Sequence, residues 1–180
     1  PRRYLVVCAT FLLSVLLYVD RVCVSTAKGQ ITHDLGLTDT QFGWVMSAFA
    51  IGYALFQTPS GMLADRLGAR KILTAIVAAW SVFTGLSAVA WNYSSMLVIR
   101  FLFGAGEAGA FPGMARAVYS WIPTGERGLV KGINFSGSRL GAAFALPVLG
   151  ITVERLGWKT TFLILMAVGC VWSLAWWLWF

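Results

Sequence analysis

Five full charges stand inside stretches that are otherwise apolar. They are Asp20 and Arg21 in Tyr18-Val-Asp-Arg-Val-Cys-Val-Ser25, Arg100 and Glu107 in Arg100-Phe-Leu-Phe-Gly-Ala-Gly-Glu107, and Arg139 further on. An arginine is a permanent cation whose planar fork binds a carboxylate through two parallel hydrogen bonds. A carboxyl group in a low-dielectric cavity has its charged form disfavoured, so it can be loaded with a proton and unloaded again. Together these types can hold an anion on the arginines and a proton on a carboxyl group. Arg21 and Arg100 are the expected anion anchors, Glu107 is the expected proton carrier, and Asp20 is the second.

The elements that must position them follow from composition. The chain has 180 residues, 58% hydrophobic and 12% charged, where a soluble domain carries about 25% charged residues. The sequence therefore reads as a membrane protein. Its net charge of +7 comes from 14 basic residues scattered between apolar blocks, which excludes the basic patch of a nucleic-acid binder. Cys8, Cys23 and Cys170 are odd in number and form no CxxC, so neither a disulfide framework nor a metal site is indicated, and nothing calls for a cofactor.

A bilayer core of about 30 Å needs roughly 20 apolar residues per helix. That ruler gives six spans, at residues 4–27, 42–63, 72–91, 96–121, 129–153 and 160–180. The first lacks a cleavage site and contains the charged pair, so it reads as a retained span. Thr38-Asp-Thr-Gln41 offers a helix N-cap, Asn92-Tyr-Ser-Ser95 a tight turn, and Pro123-Thr-Gly125 a breaker. Arg2, Arg3, Arg66, Arg70, Lys71, Arg127 and Lys131 fall on one side and Lys28, Arg155 and Lys159 on the other. The richer side is expected to be cytoplasmic, with both chain ends there. Tryptophans 91, 121, 158, 176, 177 and 179 sit at span ends, as headgroup-level anchors do. His33 reads as a solvated loop residue.

Helical rise gives depth: Arg21 lies about 9 Å in from the outer end, Asp20 about 10 Å, Arg100 about 6 Å and Glu107 about 16 Å, with Arg139 about 15 Å from the inner end. Arg100 and Glu107, seven apart, share a face, whereas neighbours Asp20 and Arg21 point about 100° apart. Tyr18 shares the stripe of Arg21. Tyr53 and Gln57 on span two, and Asn134 and Ser138 on span five, form polar stripes able to bond a hydroxylated ligand. An unpaired charge at the bilayer centre costs at least about 2.5 to 3.5 kcal/mol, so these groups must pair or line a wet cavity. Arg139 and Arg116 serve equally well as helix glue, Arg116 reaching toward Asp65 or Glu126.

Between spans two and three runs Gly61-Met-Leu-Ala-Asp65-Arg66-Leu-Gly68-Ala-Arg70-Lys71. It resembles the G-x-x-x-D-R-x-G-x-R-R/K loop of the major facilitator superfamily. That resemblance implies that Gly61, Asp65, Arg66, Gly68, Arg70 and Lys71 form a conformational latch and do not touch substrate. Arg100-x-x-x-Gly104-x-Gly106 is similar to the superfamily's fourth-span motif. Span five, reading Phe144-Ala-Leu-Pro147-Val-Leu-Gly150, lacks the antiporter G-P-x-x-G-G run. Tyr18-x-Asp20-Arg21 with Glu107 looks like the anion:cation symporter branch, which includes proton-coupled carriers of sugar acids. The resemblance implies an all-α membrane fold, a six-helix bundle that is the N-terminal half of a twelve-helix transporter, with the C-terminal bundle absent from this chain. It implies alternating access, an organic anion and protons as cargo, no catalysis, and residence in a bacterial cytoplasmic membrane. The chain is expected to be a fragment needing its partner half.

Two other readings compete. An intramembrane aspartyl protease would use Asp20 and Glu107 as its acid pair, but the adjacent Arg21 and Arg100 oppose the shared proton such a pair needs. Facilitated exchange of anions without proton coupling is the other.

Overall fold

The computed structural model describes residues 2–180, and they are almost entirely helical. Helix α1 (Arg2–Thr26) is followed by a short helix α2 (Lys28–Leu35), a long α3 (Asp39–Ala88), then α4 (Tyr93–Glu107) and α5 (Ala110–Trp121). A 3-10 turn at Thr124–Glu126 leads into α6 (Arg127–Trp179). Helices α1, α3 and α6 are each long and apolar enough to cross a membrane.

Helices α3 and α6 are hairpins. Each is broken by one glycine in a conformation open essentially only to glycine, Gly68 at φ 78°, ψ 162° and Gly157 at φ 79°, ψ 158°. Contacts prove the fold-back. On a straight helix Phe49 and Trp80 would stand about 46 Å apart. Yet a methyl group added at Gly104 of α4 would touch Phe49, and one at Gly106 would lie 3.6 Å from Trp80 N. Likewise Asn134 takes a hydrogen bond from Thr10 of α1 while Trp176, further along α6, packs on Ala9 of the same helix. Each break follows an acid and the triplet Arg-Leu-Gly, Asp65-Arg-Leu-Gly68 and Glu154-Arg-Leu-Gly157, so the two hairpins repeat in sequence as well as in backbone.

Expected helix starts carry their caps. Thr38 with Gln41, and Asn92 with Ser95, form capping boxes, so the Asn92 turn also opens α4. Span four, expected as one helix, is two. Pro112 has no N–H to donate to Ala108, and the chain turns at Ala108 and Gly109 before α5 begins. Spans three and six start closer to their glycine breaks than the apolar ruler placed them, because the charged stretch after each glycine is already helical.

Glycines set the crossings. Gly52 and Gly104 bring α3 against α4, with no room for a Cβ on either; Gly137 and Gly141 bring α6 against Phe11 and Val15 of α1; Gly169 lies against Ser81. The first helix thus meets the fifth span as the fourth meets the second, the pattern of a three-plus-three repeat. Helix α1 and the α4–α5 pair lie between these crossings, and that is where the buried charges meet.

Candidate functional site

Residues from α1, α3, α5 and α6 line a cavity of about 440 Å³, among them Tyr18, Arg21, Tyr53, Gln57, Met114, Lys131 and Asn134. Arg21 is its organising group. Its Nε and Nη2 both approach Glu107 Oε1 at 2.5 Å, and its guanidinium lies 4.7 to 5.2 Å from the ring centroids of Tyr53, Tyr18 and Phe49. Glu107 is fully buried and its Oε2 has no partner among the described residues. A fork held by one carboxylate oxygen and three aromatic faces keeps its charge in an apolar wall.

The other two charges lie off the cavity wall, within electrostatic reach of Glu107. Arg100 is 1% exposed, lies 4.4 Å from the Phe103 ring centroid and 5.1 Å from that of Phe49, and does not line the cavity. Asp20 is 3% exposed, with neither carboxylate oxygen hydrogen-bonded among the described residues. Asp20 and Arg100 each feel the charge of Glu107 first and of each other second. The structure therefore divides the expected site: Tyr18, Arg21, Tyr53, Gln57 and Asn134 come together on the cavity, with Glu107 behind Arg21. Ser138 is buried and turned to the Asn134 carbonyl at 3.3 Å. Arg139 is exposed on the outside of α6, and Glu126 takes Arg3 at 3.5 Å rather than Arg116. Glu107 is engaged with Arg21 and is not free to share a proton with Asp20 as a protease acid pair would.

At the Gly68 end, Arg70 donates to the Trp177 carbonyl at 2.6 and 3.0 Å and stacks over the Trp177 ring, tying the first hairpin to the end of α6. Asp65 has no ion-pair partner within 4.0 Å among the described residues. At the Gly157 end, Gln30 of α2 bridges the second break. It donates to the Val153 carbonyl and accepts from the Trp158 N–H, both at 2.9 Å, while the Trp158 indole donates to Asp34 at 2.8 Å. That bond, first, and His33, second, hold the Asp34 carboxyl below its ordinary range.

Sequence reasoning missed Lys131 as a cavity residue, counting it only toward topology. Its signal was present: Lys131, Asn134 and Phe135 fall at i, i+3 and i+4. The strap from α2 was also missed; the repeated acid-Arg-Leu-Gly was its legible trace.

The sequence profile described as Major Facilitator Superfamily matches residues 10–180. The chain is 40% identical over 172 residues to a probable sulfoacetate transporter of Cupriavidus necator, covering 96% of this chain and 40% of that one. It is 38% identical over 166 residues to a hexuronate transporter of Bacillus subtilis, covering 92% and 39%. To a D-galactonate transporter of Escherichia coli it is 38% identical over 175 residues, covering 97% and 41%. The chain thus spans about two fifths of the length of these relatives. Among solved structures it resembles a bacterial homologue of the human lysosomal transporter Spinster, in an inward-facing and unoccupied conformation, with a TM-score of 0.87 at 26% identity, covering 100% of this chain and 43% of that one. The relatives are named as transporters and not as enzymes, and the helix hairpins, the glycine crossings and the loop at Gly68 agree with the profile: the chain belongs to the Major Facilitator Superfamily.

Proposed function

We propose that the whole protein is a secondary transporter that brings an organic anion, a sugar acid or similar carboxylate, across the cytoplasmic membrane together with a proton. This chain is its N-terminal six-helix half, residues 1–180, and a second half closes the cavity. The Gly68 end and both chain ends face the cytoplasm, a placement that the distribution of lysine and arginine supports. Similarity to carriers of sulfoacetate, hexuronate and D-galactonate supports an anionic cargo.

One observation carries the reading: the arginine on the cavity wall is already held by a buried carboxylate, Glu107. Substrate carboxylate and Glu107 are rivals for one fork. When the anion takes Arg21, Glu107 is left in an apolar wall, where a lone charge costs several kcal/mol, and it takes up a proton. When the proton leaves to the cytoplasm, Glu107 recovers Arg21 and ejects the anion. Tyr18, Tyr53, Gln57 and Asn134 supply hydroxyl and amide partners for the cargo. Asp20 and Arg100 form the layer behind, and Asp20 is a second protonation site. Gly61, Asp65, Arg66, Gly68, Arg70 and Lys71 govern the conformational step.

The test is anion binding to the full-length protein by scintillation proximity. Arg21→Ala abolishes binding of D-galactonate, glucarate or sulfoacetate, whichever the wild type takes; unchanged affinity defeats the assignment.

A further inference from the structure

The cavity wall carries two cations, and only one is neutralised. Arg21 has Glu107, whereas Lys131 has no carboxylate within 4.0 Å among the described residues. Its Nζ donates to the Tyr119 hydroxyl at 3.5 Å and lies 5.0 Å from that ring's centroid. The ring is pinned from α6 as well. Arg127 lies 4.6 Å from its centroid and gives its own donors to the Tyr119 and Ile122 carbonyls at 3.1 and 3.0 Å. Arg127 is thus spent on backbone, while Lys131 has used one of three donors on a neutral group.

We propose that Lys131, backed by Tyr119, is a second anion station at the Gly68 end of the cavity, where the substrate carboxylate rests between Arg21 and the cytoplasm. This rests on the anion-transport reading above and adds a site to it. The Thr10 to Asn134 hydrogen bond sets α1 and α6 level at that point. From there Arg21 stands about 16 Å toward the Gly157 end and Lys131 about 4.5 Å the other way. The Cα atoms of the two residues are therefore about 20 Å apart along the helix axes, so the two cations serve different levels of the cavity wall. They act in sequence. An anion released when Glu107 recovers Arg21 meets a lysine without a carboxylate partner among the described residues, which steers it toward the cytoplasm. In the reverse direction the same lysine collects anions from the cytoplasm.

The experiment uses the full-length protein in proteoliposomes, with D-galactonate, glucarate and sulfoacetate presented to one face at a time. Lys131→Gln raises KM on the Gly68 face by about threefold to fivefold, the effect of losing a partly solvated ion pair, and leaves KM on the opposite face unchanged. Lys131→Arg restores the wild-type value, and added salt narrows the gap between wild type and Lys131→Gln. An equal rise on both faces, or none on either, overturns the station. Arg21→Ala is run beside it: loss of transport from both faces upholds the main site whatever Lys131 does, and unaltered KM values in Arg21→Ala sink the main site alone. A wild type that moves none of the three anions overturns both.

Discussion

Gly104→Ala places a methyl group in a helix crossing that leaves no room for one, and it does so beside the site. The added Cβ lies 2.9 Å from Tyr53 N and 3.0 Å from Phe49 C, with the Phe49 carbonyl oxygen closer still. Carbon–oxygen contacts sit at about 3.3–3.6 Å, so the Phe49 carbonyl oxygen, the nearest atom, forces α3 and α4 apart by roughly 1 Å or more. Overpacking of this kind costs about 1–3 kcal/mol, and each kcal/mol lowers the melting temperature by about 2–4 °C in a unit of this size. The displaced backbone belongs to Tyr53, whose ring centroid is 4.7 Å from the Arg21 guanidinium. Withdrawing one cation–π contact of about 0.5–1 kcal/mol weakens anion affinity by about twofold to fivefold. Thermal unfolding of the detergent-solubilised full-length protein reads the first effect and scintillation proximity the second. Gly150→Ala, where an added Cβ meets nothing within 4 Å, is the control and leaves both unchanged. A Gly104→Ala protein with wild-type melting and affinity would show that α3 and α4 do not touch there, and the packing argument for Tyr53 would fall.

Three further outcomes follow from other parts of the bundle. Arg100→Leu removes the buried cation that faces the charges of Glu107 and Asp20, which lowers the melting temperature, an effect that adding Asp20→Asn reduces; a stable single variant that merely loses anion affinity would return Arg100 to the cavity wall. Gly157→Ala forces a side chain into a conformation at φ 79° and costs about 1–3 kcal/mol, again read by melting; no change would mean that the hairpin tolerates another backbone. Because the folded Asp34 carboxyl titrates below its ordinary range, its bond to Trp158 stabilises the fold above about pH 4 and that contribution is lost as pH falls through the lowered value. Melting curves of wild type and Asp34→Asn should therefore differ near pH 7 and the gap should narrow as pH falls below about 4, and a gap independent of pH would remove the carboxylate from the strap.

Much of the bundle was readable because local rules decide it. Thr38 and Asn92 announce helix starts by side-chain chemistry acting within three residues, and Gly68 sits in a motif whose backbone only glycine adopts. The set of charged groups was readable too, since a charge in an apolar run is conspicuous. Their pairing was not. Spacing puts Arg100 and Glu107 on one face of one helix, but which neighbour that face meets depends on the crossings at Gly52, Gly104, Gly137 and Gly141, and these are tertiary. Arg21 reaches Glu107 because α1 lies against the α4–α5 junction, and Arg100, seven residues earlier, is covered by Phe49 and Phe103 instead. Lys131 was hidden for the opposite reason: near a helix start it looks like any topological lysine until Asn134 and Phe135 share a cavity with it.

The central claim is that substrate and Glu107 exchange places on Arg21 and that the exchange carries the proton. Proton uptake by the purified full-length protein in weakly buffered detergent solution, followed with a pH indicator as anion is added, tests it most directly. The account predicts about one proton taken up per anion bound by the wild type near neutral pH. In Glu107→Gln the anion still binds and no proton follows it. Anion binding without proton uptake in the wild type, or undiminished uptake in Glu107→Gln, would contradict it.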